Sequence, residues 1–407
     1  MKLIIFRIIL SFNICNCFIS TSFGQRLVVD SLFLANTGTH ELWDKTQIAL
    51  YSFISTPKQS VYLPGKTIEV EEGDSVHIYS RSISNDGFHT IHLHGLDVDT
   101  ENDGEPLTSF PIAPYNSYTY KFLAKNAGTY IYHCHVGDVM HVQMGMYGLV
   151  IVKAKGGKKT AWTDGPAYDK SFSWLSSEVD KFWHENTPNA MMNDFRIPVY
   201  SPNYFMINGK SQQQLNDTGT AIIAETNQKI YLRIANIGFY KHQFIFPSRL
   251  NPEVIDSDGR PLPKSYIADT LNVLPGERYG VMVSSSSSLF EKVKVNFIDM
   301  NNQVSKGIEE IPINVVNNVS IDKKSKYQSS IQIAPNPAQE TIRISLNIPS
   351  KPPYMLRIKD LFGRTISEIY CQGVGIKEID VASLPRAIYI IETNINGIIY
   401  SEKLILD

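Results

Sequence analysis

The chain has 407 residues, more than one hydrophobic core usually supports, which predicts two or three domains. A formal net charge of -2, from 38 Lys and Arg against 40 Asp and Glu, leaves no electrostatic footprint for nucleic acid, and no local Lys/Arg cluster makes one. Beyond the N-terminal segment no apolar run is long enough to span a bilayer, so no membrane span is expected.

Residues 1–24 set Lys2 and Arg7 around an apolar run and end in the small residues Ser22 and Gly24, as a secretory signal peptide does. Its removal takes Cys15 and Cys17 with it and leaves Cys134 and Cys371 in an exported protein. From 25 to 156, runs rich in Val, Ile, Tyr and Phe alternate with turn residues, as in VYLPGKTIEVEEGDSVHIYSRS and GMYGLVIVKA, which predicts an antiparallel β-sandwich. A polar, Trp-containing connector follows over 157–200, where Lys170 to Glu185 is the best candidate for a helix. The β pattern returns over 201–316 as a second sandwich. A polar linker occupies 317–331, and 332–407 form a third, smaller β unit. The fold class is mostly β.

The chemistry concentrates in YHCHVGDVMHVQMGMYG, Tyr132 to Gly148, which holds three of the 10 histidines, Cys134 and three of the 10 methionines. Its partner is FHTIHLHGL, residues 88–96. Side chains alternate faces along a strand, so residues two apart share a face. Cys134 therefore points away from His133 and His135, and His89 points away from His92 and His94 if that strand is regular. If the strands are neighbours, one face offers His89 and Cys134, joined by His141 and Met146 from the following loop, and the other offers His92, His94, His133 and His135. Two imidazoles, a thiolate and a weak thioether are the donors of a blue-copper electron-transfer site, and four imidazoles without a carboxylate again suit copper. His133 and His135 flank Cys134, so the segment wires one copper site to another. Met140 and Met144 read as core or loop residues. His40, His77, His184 and His242 read as structural histidines, and the acidic run Asp97 to Glu105 reads as a solvated loop, unless it lies near enough to attract a cation or relay protons.

At these residues the chain resembles the multicopper oxidases, the laccase-like cupredoxin family, and more distantly the copper nitrite reductases. The matching stretches are HTIHLHG, GTYIYHCHV and HVQMGMYG in the first sandwich and FMINGKS, DSDGRPL and LPGERYGVMV in the second. The resemblance implies two cupredoxin-like Greek-key sandwiches and a type 1 copper on His89, Cys134, His141 and Met146 that takes single electrons from a small reducing substrate. It further implies that His92, His94, His133 and His135 supply half the ligands of a type 2/type 3-like centre reducing dioxygen, with nitrite as the alternative acceptor. The other half normally comes from two HxH pairs of a second cupredoxin domain, and this chain has none. His242 and His184 are the spare histidines there, and in two-domain relatives the site forms between subunits, so a homo-oligomer, a trimer being one form, could complete it from a neighbouring chain. APNPA (334–338), RIKDLFGR (357–364), LPRAIYI (384–390) and the final KLILD resemble the type IX secretion sorting domain of Bacteroidetes, which implies passage through the periplasm, the type IX machinery as a partner, and a secreted or cell-surface protein.

Overall fold

The computed structural model describes residues 25–407 other than 36–37, 86, 187–198, 317–329, 348–352, 362, 373–376 and 396–397. The signal segment expected over 1–24 and most of the expected linker lie outside the described residues.

In the first sandwich one sheet runs in the order Ser52–Ile54, Leu27–Ala35, Ser75–Ser82, Ser117–Leu123, and the other Ile68–Glu71, Tyr147–Lys153, Gly128–His133, His92–His94. The predicted alternation is visible in Ser75–Ser82, where Val76, Ile78, Ser80 and Ser82 are buried and Arg81 is exposed. Leu32, Leu34, Phe53, Ile78, Leu93, Tyr120, Tyr132 and Val150 fill the space between the sheets, and Cys134, Met144 and Met146 belong to the same core. Burying each large side chain stabilises by about 1.5–3 kcal/mol.

The second sandwich begins earlier than the sequence suggested. Lys170–Val179, expected to be helical, is a strand that pairs in parallel with Ile230–Asn236 and antiparallel with Tyr204–Ile207. It reads ambiguously because it is covered on both faces. Trp174 enters the core of its own sandwich, while Leu175 and Val179 pack on Ile131, Tyr147 and Leu149 of the first. All six residues from Trp174 to Val179 are buried, so the period-two signal is lost. Of the Lys170 to Glu185 stretch expected to be helical, only residues 181–185 are helix. A six-stranded sheet led by Tyr204–Ile207 and Lys170–Val179 faces a five-stranded sheet built on Val304–Val316 and Leu289–Asp299.

Where the sandwiches meet, backbone lies on backbone: a Cβ on Gly128 would sit 2.6 Å from the Cα of Gly259. Arg260 reaches across to the Asp97 carboxylate with two hydrogen bonds of 2.8 Å. The third unit packs a three-stranded sheet against a four-stranded one around its own core, in which Cys371 is buried.

Candidate metal centre

The strand Gly128–His133 ends just before Cys134, whose N–H donates to the Met146 carbonyl at 3.0 Å. The intervening loop carries a short helix, Asp138–Gln143, entered through Gly137 at φ 60°. It leaves through Gly145 at φ 108°, where a Cβ would lie 2.7 Å from both the Tyr51 carbonyl oxygen and a Leu50 methyl, so no other residue fits without strain. Met146 N–H then donates to the His141 carbonyl at 2.9 Å, closing the loop. His89 is set by two backbone hydrogen bonds with Ile112, of 3.0 and 2.7 Å.

These restraints bring three donors together. Cys134 Sγ lies 3.1 Å from His141 Nδ1 and 3.7 Å from His89 Nδ1, and all three residues are buried. Burial pushes the Cys134 thiol up, but hydrogen bonds from His141 and His89 outweigh it and bring it down to about 6, so the thiolate is accessible at neutral pH. Met146 is wholly buried in the same core.

The second cluster faces elsewhere. His92, His94 and His133 hold ligand atoms within 4.8 Å of one another, and the His135 ring lies 5.0 Å from His92 and 5.6 Å from His133. His92 Nδ1–H donates to the Asp103 carbonyl at 2.7 Å and His133 Nδ1–H to the Cys134 carbonyl at 3.1 Å, which fixes each ring and leaves Nε2 as the ligating nitrogen. His94 presents Nδ1, 3.4 Å from His133 Nε2. Burial, then the charge of Arg278, pushes His94 down to about 4, and burial pushes His133 down to about 3. Both imidazoles are neutral at physiological pH, as metal ligands must be.

The separation expected from strand parity is present, though not through one regular strand. Only His92–His94 is a strand, pairing with Ile131–His133. His89 sits on an isolated bridge, and Thr90 and Ile91 between them are tied down instead, Thr90 Oγ1 accepting from His135 N–H at 3.2 Å and Tyr120 Oη accepting from Ile91 N–H at 3.1 Å. The spare histidines do not join either cluster. His242 is buried with Nδ1 at 2.6 Å from Ser176 Oγ and Nε2 at 2.5 Å from Glu178 Oε1, and His184 Nδ1 donates to the Ala49 carbonyl at 2.6 Å. Both are buried, and each is hydrogen-bonded within its own fold.

Three residues that sequence reasoning did not single out surround the clusters. Asp103, inside the acidic run, places a carboxylate 3.5 Å from His92 Nδ1. That run is ordered rather than simply solvated: Asp97 bonds Arg260, and Asp99 accepts from Asn102 N–H at 3.0 Å. Arg278 comes from the second sandwich, bonds the Gly276 carbonyl at 2.7 Å and Asp258 at 2.9 Å, and packs on Gly95 so closely that a Cβ there would be 2.0 Å from its Nη2. Gln143 lies in the helix that carries His141. Gly128 in NAGTY and Gly259 in DSDG were the available signals for the interdomain contact, but nothing in the sequence says that the two meet.

Residues 59–157 and 176–290 each match a family model described as multicopper oxidase, and 332–407 match a secretion system C-terminal sorting domain, which implies export to the cell surface or beyond. The chain is 27% identical over 270 residues to an iron transport multicopper oxidase of Saccharomyces cerevisiae, covering 64% of this chain and 40% of that one. It is 29% identical over 179 residues to a copper-containing nitrite reductase of Neisseria gonorrhoeae, covering 43% and 42%. It thus spans well under two thirds of these curated relatives. Among solved structures, the blue copper oxidase of Nitrosomonas europaea superposes with a TM-score of 0.58 at 26% identity, over 72% of this chain and 86% of that one. No helix among the described residues is long and apolar enough to cross a membrane. With both donor clusters chemically suited to copper, and matching models over both sandwiches, the chain belongs to the multicopper oxidase family.

Proposed function

We propose that the protein is an exported oxidoreductase that takes single electrons from a small reducing substrate at the Cys134 centre and delivers them to the histidine face, where dioxygen is reduced. The observation that carries this reading is the adjacency of the two clusters: Cys134 belongs to one, and its covalent neighbours His133 and His135 to the other. Bound at His89, Cys134, His141 and Met146, copper would supply reversible one-electron chemistry, and at His92, His94, His133 and His135 a place for the acceptor.

The chain's own residues then have definite tasks. Burial of Cys134, His89 and His141 excludes water, so the donor set need not rearrange between oxidation states. The Asp103 carboxylate, partly open to solvent and 3.5 Å from His92 Nδ1, gives the histidine face a polar link to solvent. Arg278 carries a fixed positive charge next to His94, which favours an anionic ligand or acceptor at that face.

A second reading has its own support. With His242 and His184 tied into the fold, the described chain gathers four imidazoles at this face, half the set that the resemblance to three-copper members requires. That count, with the likeness to a nitrite reductase, favours a smaller centre acting on nitrite. A copper-binding surface protein without turnover is the non-enzymatic alternative. Copper per chain measured with oxygen uptake and nitrite consumption decides among them. About four coppers with oxygen uptake supports the first reading, one or two with nitrite loss the second, and copper without turnover overturns both.

A further inference from the structure

The second sandwich supplies no ligand to the Cys134 centre, yet it holds the loop that carries one. The helix Asp138–Gln143 divides its side chains: His141 turns toward Cys134, while Val142 packs with Leu175 and Val179 of the second sandwich. Gln143, only 5% exposed, goes further and is bonded at both ends of its amide. Its Nε2–H₂ donates to the Glu178 carbonyl at 3.1 Å and to Tyr200 Oη at 3.3 Å, and its Oε1 accepts from Asp180 N–H at 2.6 Å.

The receiving frame is itself rigid. The Glu178 carboxylate, fully buried, accepts from Phe239 N–H and Tyr240 N–H at 3.0 Å each and from Tyr200 Oη at 3.2 Å, and lies 2.5 Å from His242 Nε2. On its other side the loop is held by the first sandwich, where Tyr51 N–H donates to the Met144 carbonyl at 2.9 Å and the Tyr51 ring stands edge-on to His141 at 5.8 Å. The loop is thus clamped from two domains, and Gln143 ties it to the second by three side-chain hydrogen bonds.

We infer that Gln143 is a positioning residue of the Cys134 centre: it registers the His141–Met146 segment against the second sandwich and so sets the geometry in which His141 meets Cys134. The inference rests on the copper reading of these residues for its functional meaning, but not for its first test. Buried hydrogen bonds whose partners are lost leave the partners unsatisfied, and the segment that loses them opens more often.

Gln143→Met keeps the length and removes all three bonds. Hydrogen exchange of the metal-free protein should quicken by about tenfold or more in the amides of residues 137–146, with the strands of both sandwiches unchanged. Tyr200→Phe, which removes one of the three Gln143 bonds together with the Tyr200–Glu178 bond, should show a smaller change in the same residues and carries the test if the first variant does not fold. After loading with Cu(II), Gln143→Met should shift the visible charge-transfer band and the reduction potential relative to the unmodified protein. Unchanged exchange in the loop, or equal acceleration throughout both sandwiches, overturns the inference. An unmodified protein that takes up Cu(II) without a charge-transfer band instead overturns the copper reading, and leaves the exchange result standing.

Discussion

His133 Nδ1 donates to the carbonyl oxygen of its neighbour Cys134 at 3.1 Å. The ring that joins the histidine face is thereby fixed by the backbone of a residue whose side chain faces the other way. A bond path and a hydrogen-bond path therefore leave Cys134 in the same direction, and disturbing one cluster should leave the other spectroscopically intact.

Cys134→Ser removes the single thiolate. With Cu(II) it should lose the intense visible band and all substrate oxidation, while its metal-free melting temperature stays within a few degrees of the unmodified protein, since the change costs about 1 kcal/mol or less beyond the lost thiol packing. Met146→Leu is milder and should keep the colour while moving the potential. Visible spectra and redox titration decide, and a blue Cys134→Ser variant would contradict the assignment.

His92→Ala and His135→Ala should leave the blue band near normal and lower acceptor turnover by orders of magnitude. His89→Ala should bleach the band although it is only three residues from His92. Paramagnetic resonance and visible spectra recorded beside turnover test all three, and a colourless His92→Ala protein would end the two-cluster description.

His133 is held down to about 3 from an ordinary 6.5, chiefly by burial. A histidine with a lowered folded pKa takes up its proton more readily when unfolded, so its contribution is complete above about pH 6.5 and is lost as pH falls toward the folded value. The metal-free protein should lose on the order of a few kcal/mol between neutral pH and about pH 4 from this residue. His133→Asn should flatten that part of the pH profile, as read from thermal unfolding at several pH values. An identical slope in both proteins would show that His133 has no part in it.

Gly145→Ala places a methyl against Tyr51 and Leu50 at a φ of 108°. It should destabilise the metal-free protein by about 1–3 kcal/mol. Because the residue lies between Gln143 and Met146, Cu(II) affinity should fall as well. Denaturant unfolding and copper titration measure the two effects, and unchanged values in both would show that the loop tolerates another path.

The candidate donor residues stood out because metal ligation demands rare side chains at close spacing: His92 and His94 share a strand face, and Cys134 is flanked by histidines. The three-domain β organisation was legible from the alternation in segments with one exposed face, such as Ser75–Ser82. Lys170–Val179 was not, because burial on both sides erased its period. Nor were Gln143, Asp103 and Arg278, ordinary polar residues whose importance comes from partners that the fold alone brings near, such as Thr129, 149 positions from Arg278 in the chain. His89 lies beside Cys134 and His141 by way of a bridge to Ile112 rather than a regular strand, so the parity rule gave this grouping on a premise that holds only from His92 onward.

Where Gly128 meets Gly259, main chain lies on main chain with no side chain between them. Side chains can swap rotamers to let packed domains slide or hinge, whereas two main chains in contact have nothing to rearrange. That contact, with the apolar seam of Ile131, Tyr147, Leu149, Leu175 and Val179, should suppress motions that open a cleft between the two units and couple the melting of their cores. Calorimetry over this region should show one transition, with a van't Hoff enthalpy that matches the measured heat of the pair rather than of either half.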